Sequence, residues 1–274
     1  MISRSFTFSQ VVDALDLVKI GQEIDAVESV GGEKMADYDF KDVRELVLIA
    51  AERWLPEDLE EWDIAEIEGD HRDEKFRWIL DMRGTHRGKL NAFKQFAGAG
   101  FILDWKTTKS DLNSDWANRY KYSPQWKLYS AKHPEVKLFH YRGVKRTGDL
   151  RSVIIQVPDT VVQESELYLR QMWAQREALI QIGAVPWPQK MPSACKAYGR
   201  ECVFWSDCSD NRIPEGAVDK TKPLSYSGSE TFGLCPEKYR RNVLAERGED
   251  DETLAFGKAF HRGIAELYKQ VFLP

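Results

Sequence analysis

The sequence contains no apolar run of the roughly 18 residues that a membrane-spanning helix needs. Its first eight residues also lack the apolar core of a secretory signal peptide. We therefore expect a cytoplasmic protein without membrane contact. The composition, 42% apolar and 30% charged over 274 residues, is that of a globular protein large enough to bury a sizeable core. The chain shows no internal repeat.

The net charge is small, −5, but it is unevenly distributed. Residues 1–70 carry 19 Asp and Glu against 6 Lys and Arg, whereas residues 119–151 carry 9 basic residues against 2 acidic ones. Net charge therefore excludes no class of partner. The acidic segment could recruit another protein, and the basic segment could form a local patch for a polyanion, unless either is simply a solvated surface.

Cysteine is scarce, and its four copies all lie between positions 195 and 235. Disulfides are not expected in a reducing cytoplasm. Four clustered thiolates are the number that a metal ion or an iron–sulfur cluster requires. The lack of a C-x2-C pair disfavours a zinc ribbon, and free structural thiols remain an alternative.

Apolar periodicity predicts alternating helices and strands, and hence an α/β fold with a mixed central sheet flanked by helices. The helix at 41–54 is expected to end at Pro56. Residues 76–106 are predicted to form an antiparallel meander, with a turn at Gly84-Thr85 and a reversal at Gly98 to Gly100. The other predicted elements are helices at 7–31, 159–182 and 254–268, a helix starting at Pro124, a strand entering near Trp62, strands at 136–141 and 151–157, and loop at 184–224.

The third meander strand, Phe101-Ile-Leu-Asp104-Trp105-Lys106, delivers a carboxylate and an ammonium to one face of the sheet, because strand side chains alternate. Such a pair can bind a divalent metal ion and steady a water or a phosphate oxygen. An ordinary surface ion pair is the alternative. If Arg87 to Phe93 forms the second strand, Asn91 lies opposite Asp104, and the two side chains could share one metal ion. His86 is interpreted as a turn residue.

Several short motifs together resemble the PD-(D/E)xK nucleases, and most closely their RecB-like branch, which is common in phage and recombination enzymes. Gly88-Lys-Leu-Asn91, Leu103-Asp104-Trp105-Lys106 and Gln125-x-x-x-Tyr129 match three ordered motifs. Leu224-Ser-Tyr-Ser, Cys235-Pro-x-x-Tyr239 and Phe256-Gly-x-x-x-His261 look like the opening motifs, and Cys195, Cys202 and Cys208 like the closing cysteine set. Each motif is weak alone, but at these spacings the set is fairly specific.

The resemblance implies a restriction-endonuclease-like core and a divalent-metal-dependent DNA nuclease, an exonuclease acting on ends or single strands in a bacterial or phage-infected cell. Magnesium or manganese would be held by His261, the side chain at 91, Asp104 and the carbonyl of Trp105. Lys106 would orient the water, and Gln125 and Tyr129 would hold the DNA or the loop. The four cysteines would bind a four-iron four-sulfur cluster, and Arg119, Lys121 and Lys127 are candidate DNA contacts. Without the resemblance, His261 would be interpreted as a core histidine in preference to a ligand, and Gln125 and Tyr129 as surface and core residues of an ordinary helix.

The resemblance divides the chain into an acidic helical region (1–70), a nuclease core (71–183), a cysteine-rich clamp (184–240) and a helix with the His motif that completes the core (241–274). The family's opening motifs here follow its closing ones. The chain thus resembles a circular permutant, or alternatively contains the start of a second nuclease unit.

Asn91 stands where the family has Asp, which would weaken a metal site. It is either an introduced change or the mark of a naturally weakened enzyme. The rival functions are a DNA-binding scaffold that cannot cut and a subunit that binds its partner through the acidic helices. An unrelated metal-dependent hydrolase would explain fewer of the motifs.

Overall fold

The structure is a computed structural model. It describes residues 16–31, 40–183, 187, 195, 202, 208, 223–225, 228, 231–233, 235–240 and 252–273. The start of the predicted helix at 7–31 and most of the predicted loop at 184–224 lie outside these residues. None of the helices in the described ranges is both long and apolar enough to cross a membrane.

A mixed sheet runs through the centre of the molecule, with five strands in the order β1-β2-β3-β4-β5 and a short β6 beside β2. β3 pairs with β4, and β2 with β6, in parallel; the other neighbours are antiparallel. The strands are β1 (Trp62–Arg72), β2 (Phe76–His86), β3 (Gly100–Thr108), β4 (Val136–Lys145), β5 (Leu150–Gln156) and β6 (Leu224–Ser225).

Helices cover both faces of this sheet, which confirms the predicted α/β class. One face carries α1, α2 and α7, and the other carries α3, α4 and α5. The described helices are α1 (Leu17–Gly31), α2 (Phe40–Glu61), α3 (Ser114–Lys121), α4 (Pro124–Lys132), α5 (Asp159–Gln181), α6 (Pro236–Tyr239) and α7 (Glu252–Phe272). The predicted strands at 136–141 and 151–157 and the predicted helices at 124, 159–182 and 254–268 are confirmed.

Alternation along β3 divides its side chains between the two cores. Phe101, Leu103 and Trp105 are buried in the core beneath α1, α2 and α7. Ile102 is buried in the opposite core, beneath α3 and α4. Asp104 has the same parity as Ile102 and therefore faces α4.

The predicted meander is wrong in its middle. β2 continues through Gly84 and Thr85, and no strand forms at 87–93; instead Asn91–Phe96 is a 3-10 helix. The buried carboxylate of Glu61 accepts hydrogen bonds from the backbone N–H groups of Gly88 and Leu90, both at 2.8 Å. Gly88 has a φ of +69°, which is incompatible with an extended strand. Tertiary contacts with Glu61 thus replace the expected strand ladder.

α2 does not end at Pro56 as predicted, and two of the acidic side chains that follow it are buried. α2 continues past Pro56 to Glu61, and the side chains of Asp58 and Glu61 are only 1% exposed. Both carboxylates have buried cationic or N–H partners, and this packing holds the helix together beyond the proline. β1 begins at Trp62, where a strand was predicted. Residues 62–70 therefore belong to the sheet and not to the predicted acidic helical region.

His86 is a buried strand residue and not the predicted turn residue. Its Nδ1 lies 3.1 Å from Glu61 Oε1, and its Nε2 lies 3.3 Å from the Nε2 of His140. All three side chains are almost completely buried. The cluster links the end of α2 to β2 and β4.

Candidate functional site

The D-x-K motif lies on the β3 face that α4 covers. The Lys106 ammonium is 2.5 Å from Asp104 Oδ2, and the Asp104 side chain is 6% exposed. Trp105 points the other way, is 2% exposed and packs edge-on against Trp54 at a centroid distance of 5.2 Å. The pair is therefore a largely buried one, and the surface ion pair that the short motif also allowed is wrong.

Asp81 of β2 is the carboxylate that the sequence reasoning missed. The ladder between β2 and β3 ends at the pair Met82 and Leu103. Immediately beyond it, the Trp105 N–H donates to Asp81 Oδ2 at 2.6 Å. Asp81 therefore lies beside Asp104 where the two strands separate. Its sequence signal was the apolar pair Ile79-Leu80 directly before it, the same pattern that drew attention to Asp104.

The placement of Asn91 opposite Asp104 is wrong. The strand that should have carried it does not form, and Asn91 is instead the exposed first residue of the 3-10 helix. It does not line the cavity described below. The strand next to Asp104 is β2, so the second carboxylate comes from Asp81.

His261 reaches this site from the other end of the sequence. Its Nδ1 lies 3.1 Å from Asp81 Oδ1. Phe260 and Ile264 of the same helix are buried against the sheet, whereas the His261 side chain is 31% exposed. His261 thus borders the buried face of α7 and contacts β2 from there, unlike a histidine enclosed in the core.

Gln125 joins the site, but Tyr129 does not line it. Gln125 lies at the N-terminus of α4, where the Ser123 side chain caps the helix by accepting the Gln125 N–H. The Gln125 side-chain amide donates to Asp104 Oδ1 at 2.7 Å. Tyr129 is buried in the core beneath α4, 6.2 Å from the ring of Phe139.

Asp81, Lys106 and His261 line an open cavity of about 570 Å³ between β1, β2, β3 and α7. Asp104 and Gln125 do not line it, but Asp104 is paired with Lys106 of the cavity wall. The lining residues are Glu68, Ile79, Asp81, Trp105, Lys106, Thr107, Gly257, Lys258, His261 and Arg262.

The two carboxyl groups have pKa values shifted in opposite directions. Burial raises the pKa of Asp104, and the nearby charge of Asp81 adds to this, against the opposing effect of Lys106. Burial would also raise the pKa of Asp81, but the combined effects of His261, Lys106 and the Trp105 N–H outweigh it, and the pKa is lowered. Burial would lower the pKa of His261, but the negative charges of Asp81 and Asp104 and the hydrogen bond to Asp81 outweigh it, and the pKa is raised. Asp81 and His261 therefore each favour the charged form of the other.

Lys106 remains a cation in this site. Burial alone would lower its pKa, but the negative charges of Asp104 and Asp81 outweigh that effect and raise it. Its ammonium lies 5.9 Å from the centre of the Tyr141 ring. The site thus combines a fixed positive charge with two carboxylates and an imidazole.

The carboxylate oxygens at this site are of the kind that binds a divalent ion, but the side chains are not arranged around a common point. Within the described ranges, no three His, Cys, Asp or Glu side chains are already arranged to hold a metal ion. Asp104 Oδ2 contacts the Lys106 ammonium but accepts no hydrogen bond of normal geometry from the described residues. Carboxylate oxygens are the ligands that Mg²⁺ and Mn²⁺ prefer, and Asp81 and Asp104 supply them on neighbouring strands.

The four cysteines are all reduced, and at least three of them are near one another. Burial raises the pKa of Cys195, and the nearby thiols of Cys235 and Cys202 raise it further. The Cys202 N–H donates to the Cys195 carbonyl at 2.7 Å. Cys208 is near the Arg240 guanidinium, which follows Cys235 closely in the chain. Residues up to 40 positions apart are thus brought into one region.

The three predicted DNA-contacting residues lie outside the cavity lining. Arg119 and Lys121 are exposed in the last turn of α3, and Lys127 lies 5.6 Å from the Trp126 ring. Tyr120, between the first two, packs on Tyr141 at 4.8 Å, the ring over which Lys106 lies. The basic end of α3 therefore adjoins the site.

Comparisons of the chain with protein-family models, with curated proteins and with solved structures found no match.

Proposed function

We propose that the chain is a divalent-metal-dependent DNA nuclease of the PD-(D/E)xK superfamily, in its RecB-like branch, acting as an exonuclease on DNA ends or single strands. One observation carries the proposal: His261, from the C-terminal helix, contacts Asp81, and both line one cavity with Lys106, the partner of Asp104. A nuclease of this class needs that combination of carboxylates, imidazole and lysine. The superfamily's restriction-endonuclease-like core is the corresponding proposal for the fold.

The residues have separate roles in this proposal. Asp81, Asp104 and His261, with the carbonyl of Trp105, would hold Mg²⁺ or Mn²⁺. Such an ion, when bound, would lower the pKa of a water and neutralise charge on the phosphate. Lys106 would donate hydrogen bonds to the attacking water or to a phosphate oxygen, and its raised pKa keeps it charged.

Gln125 positions Asp104 and does not itself react. Its amide holds Asp104 Oδ1 at 2.7 Å from the N-terminus of a packed helix. Partners of this kind, one step removed from a ligand, typically contribute about 10- to 100-fold in metal affinity or activity. Tyr129 supports the same helix from the core.

The unusual order of motifs is best explained by circular permutation. α7 packs against α1 and α2, and the Asp16 N–H donates to Gln270 Oε1 at 2.8 Å. β6 adds to the edge of β2. The segment after residue 224 therefore completes the same core as residues 62–156. The start of a second nuclease unit would instead need a hydrophobic core of its own. Permutation is tolerated where the joined ends lie close together.

Asn91 is not evidence that this chain is an inactivated nuclease. That hypothesis depended on Asn91 replacing an essential carboxylate, and Asp81 supplies a carboxylate beside Asp104. Asn91 then no longer supports the alternative that the chain binds DNA as a scaffold without cleaving it. The activity test below distinguishes that alternative from a nuclease.

The cysteine region is proposed to hold a four-iron four-sulfur cluster through Cys195, Cys202, Cys208 and Cys235, with zinc as the lesser possibility. The mutual effect of three of the thiols supports this. The cluster would be structural and would attach residues 195–240 to the core. Thiolate ligation suits iron–sulfur centres.

The DNA path is proposed to run over the basic end of α3. Arg119 and Lys121 would contact phosphates, and Lys127 would add to the local positive charge. A protein partner bound through the acidic residues 1–60 stays a prediction.

The test is cleavage of end-labelled single- and double-stranded DNA with Mg²⁺ or Mn²⁺. We expect cleavage by the unaltered chain and a loss of at least about 100-fold in Asp104→Asn and Asp81→Asn, since even residues that only orient metal ligands cost 10- to 100-fold. Asp81→Asn keeps an oxygen that can accept the Trp105 N–H, so it removes charge with little change of structure. Asp159→Asn, at an 85% exposed side chain, is the matched control and should keep full activity. Metal-dependent cleavage that survives in both site variants would refute the proposal, and DNA binding without any cleavage would favour the scaffold.

A further inference from the structure

Glu68 of β1 has a backbone conformation that no other non-glycine residue in the described ranges shows. Its φ is +54°. Left-handed conformations are unfavourable for a residue with a long side chain and concentrate at functional sites. Position 68 lies between the register pairs Ile67 with Met82 and Gly69 with Leu80, and hence opposite Asp81. The unusual backbone is therefore level with the proposed catalytic carboxylates.

The Glu68 carboxylate contacts two cations of α7. Its Oε2 lies 2.7 Å from Lys269 Nζ and 3.6 Å from Arg262 Nη1. The Glu68 side chain is 24% exposed, whereas those of Lys269 and Arg262 are 38% and 55% exposed. Arg262 and Glu68 line the cavity, whereas Lys269 does not line it and is placed beside it by its contact with Glu68. Both cations are exposed enough for a ligand from solution to reach them.

These two cations continue the positive side of the cavity. Lys258 and Arg262 line the cavity together with Lys106, on the side of His261. The helix carries Lys258, His261 and Arg262 within four residues, so they lie on neighbouring turns of one face. A row of cations beside a hydrolytic site suits the backbone of a nucleic acid, in which anionic phosphates repeat at regular spacing.

We propose that Arg262 and Lys269 form a subsite for a phosphate of single-stranded DNA next to the one that is cleaved, and that Glu68 occupies this subsite in the free protein. This inference rests on the proposed nuclease function and specifies how its substrate is held. A carboxylate presents two anionic oxygens to a cation pair much as a phosphate does. Incoming DNA then displaces Glu68 from the cations.

A purely structural role for these ion pairs explains less. Exposed ion pairs contribute little to stability. α7 is already attached to the core by fully buried side chains, among them Phe260, Leu267 and Tyr268. A strained backbone at position 68 is therefore not needed to hold the helix. The conformation does, however, direct the carboxylate to the cations that border the cavity.

The subsite predicts that removing the Glu68 charge tightens DNA binding. Fluorescence anisotropy with a labelled oligothymidine, in excess EDTA so that nothing is cleaved, measures this directly. One additional phosphate contact at about 0.1 M salt corresponds to roughly fivefold in affinity and about 0.7 in the slope of log K against log salt. We expect Glu68→Gln to bind about fivefold tighter with the steeper slope, and Arg262→Gln and Lys269→Gln each to bind more weakly.

Matched variants separate this effect from net charge and from misfolding. Glu166→Gln removes the carboxylate of another Arg–Glu surface pair, with Arg170, away from the cavity. It should leave affinity nearly unchanged. Glu68→Gly removes the charge and also suits a positive φ, so it should fold and bind at least as tightly as Glu68→Gln. In the Arg262→Gln, Lys269→Gln background, Glu68→Gln should have no effect.

The inference fails if Glu68→Gln and Glu68→Gly bind no tighter than Glu166→Gln, or if no variant binds DNA. Cleavage assays on the same proteins test the proposed function independently. Tighter binding by Glu68→Gln in a chain that never cleaves DNA would keep the subsite and refute the nuclease. Cleavage without that tightening would keep the nuclease and refute the subsite.

Discussion

Asp58 is the side chain whose removal we expect to destabilise the protein most. The two guanidinium nitrogens of Arg142 in β4 lie 2.6 and 2.5 Å from its two carboxylate oxygens, and the Tyr268 hydroxyl of α7 donates to it at 2.6 Å. The Asp58 side chain is 1% exposed and that of Arg142 is 5% exposed. This network joins α2, the sheet and the helix that carries His261.

The magnitude follows from what Asp58→Ala leaves behind. The Arg142 guanidinium carbon lies 4.5 to 5.4 Å from the ring centres of Trp54, Trp62 and Trp105. These rings stabilise a cation, but they cannot replace its counter-ion in a buried site. Breaking one partner of a buried pair costs about 3–5 kcal/mol. For a chain of this size that corresponds to a fall in Tm of about 6–20 °C.

The pair itself should be replaceable. Burial raises the pKa of Asp58 despite the opposing effect of Arg142, so the desolvation of the carboxylate is not fully offset by its partner. Replacing a buried pair with apolar side chains of similar volume is often neutral. We expect Asp58→Leu with Arg142→Met to recover most of the loss in Asp58→Ala. Tyr268→Phe, which removes only hydrogen bonds to charged groups, should cost about 1.5–3 kcal/mol.

Urea unfolding, followed by circular dichroism, measures these differences, with Asp159→Asn as a surface control. The reasoning is refuted if Asp58→Ala lowers the free energy of unfolding by less than about 1 kcal/mol, which is the range of an exposed ion pair. It is also refuted if the apolar double variant is less stable than Asp58→Ala.

Three further predictions concern the remaining parts of the molecule. Asn91→Asp should leave the cleavage rate unchanged, because the residue is exposed outside the cavity; a marked gain in rate would restore the original motif assignment. Burial and the charges of His86 and Arg142 lower the pKa of His140 far below its usual value. Below about pH 6.5 the unfolded chain therefore binds more protons than the folded one, and the free energy of unfolding, measured by urea titration, should decrease as the pH is lowered. The decrease should be less steep in His140→Phe. Protein purified without oxygen should be brown and absorb near about 400 nm, and Cys235→Ser should lose this band; colourless protein containing stoichiometric zinc would contradict the cluster.

Elements with local signals were predicted correctly from the sequence. β4 and β5 are rich in the β-branched and aromatic residues that favour strands. α4 begins with Ser123 and Pro124, residue types that are preferred at the N-cap and at the first position of a helix. Asp104 and Lys106 are two apart on a strand, so their common face follows from the strand geometry alone.

The failures share one physical cause, which is a contact between distant residues. The sequence between 87 and 93 can form a strand, but Glu61, nearly 30 positions earlier, accepts the N–H groups of Gly88 and Leu90. α2 should end at Pro56, but Arg142 binds Asp58 two residues further on, from a strand 84 positions away. The local sequence pattern reveals neither the contact of Glu61 with residues 88 and 90 nor that of Arg142 with Asp58. Each contact changes where a helix or strand ends.

The second carboxylate was missed for the same reason. Choosing between Asn91 and Asp81 requires knowing which strand lies beside β3, and the Glu61 contacts decide this. Once β2 and β3 are neighbours, their separation after Met82 and Leu103 leaves the Trp105 N–H without a backbone acceptor. A buried N–H needs a partner, and Asp81 provides it. The carboxylate thus fills a structural need with one oxygen and binds His261 with the other. This explains how a site assembled from the middle of the chain and from its C-terminal helix can form where the sheet opens.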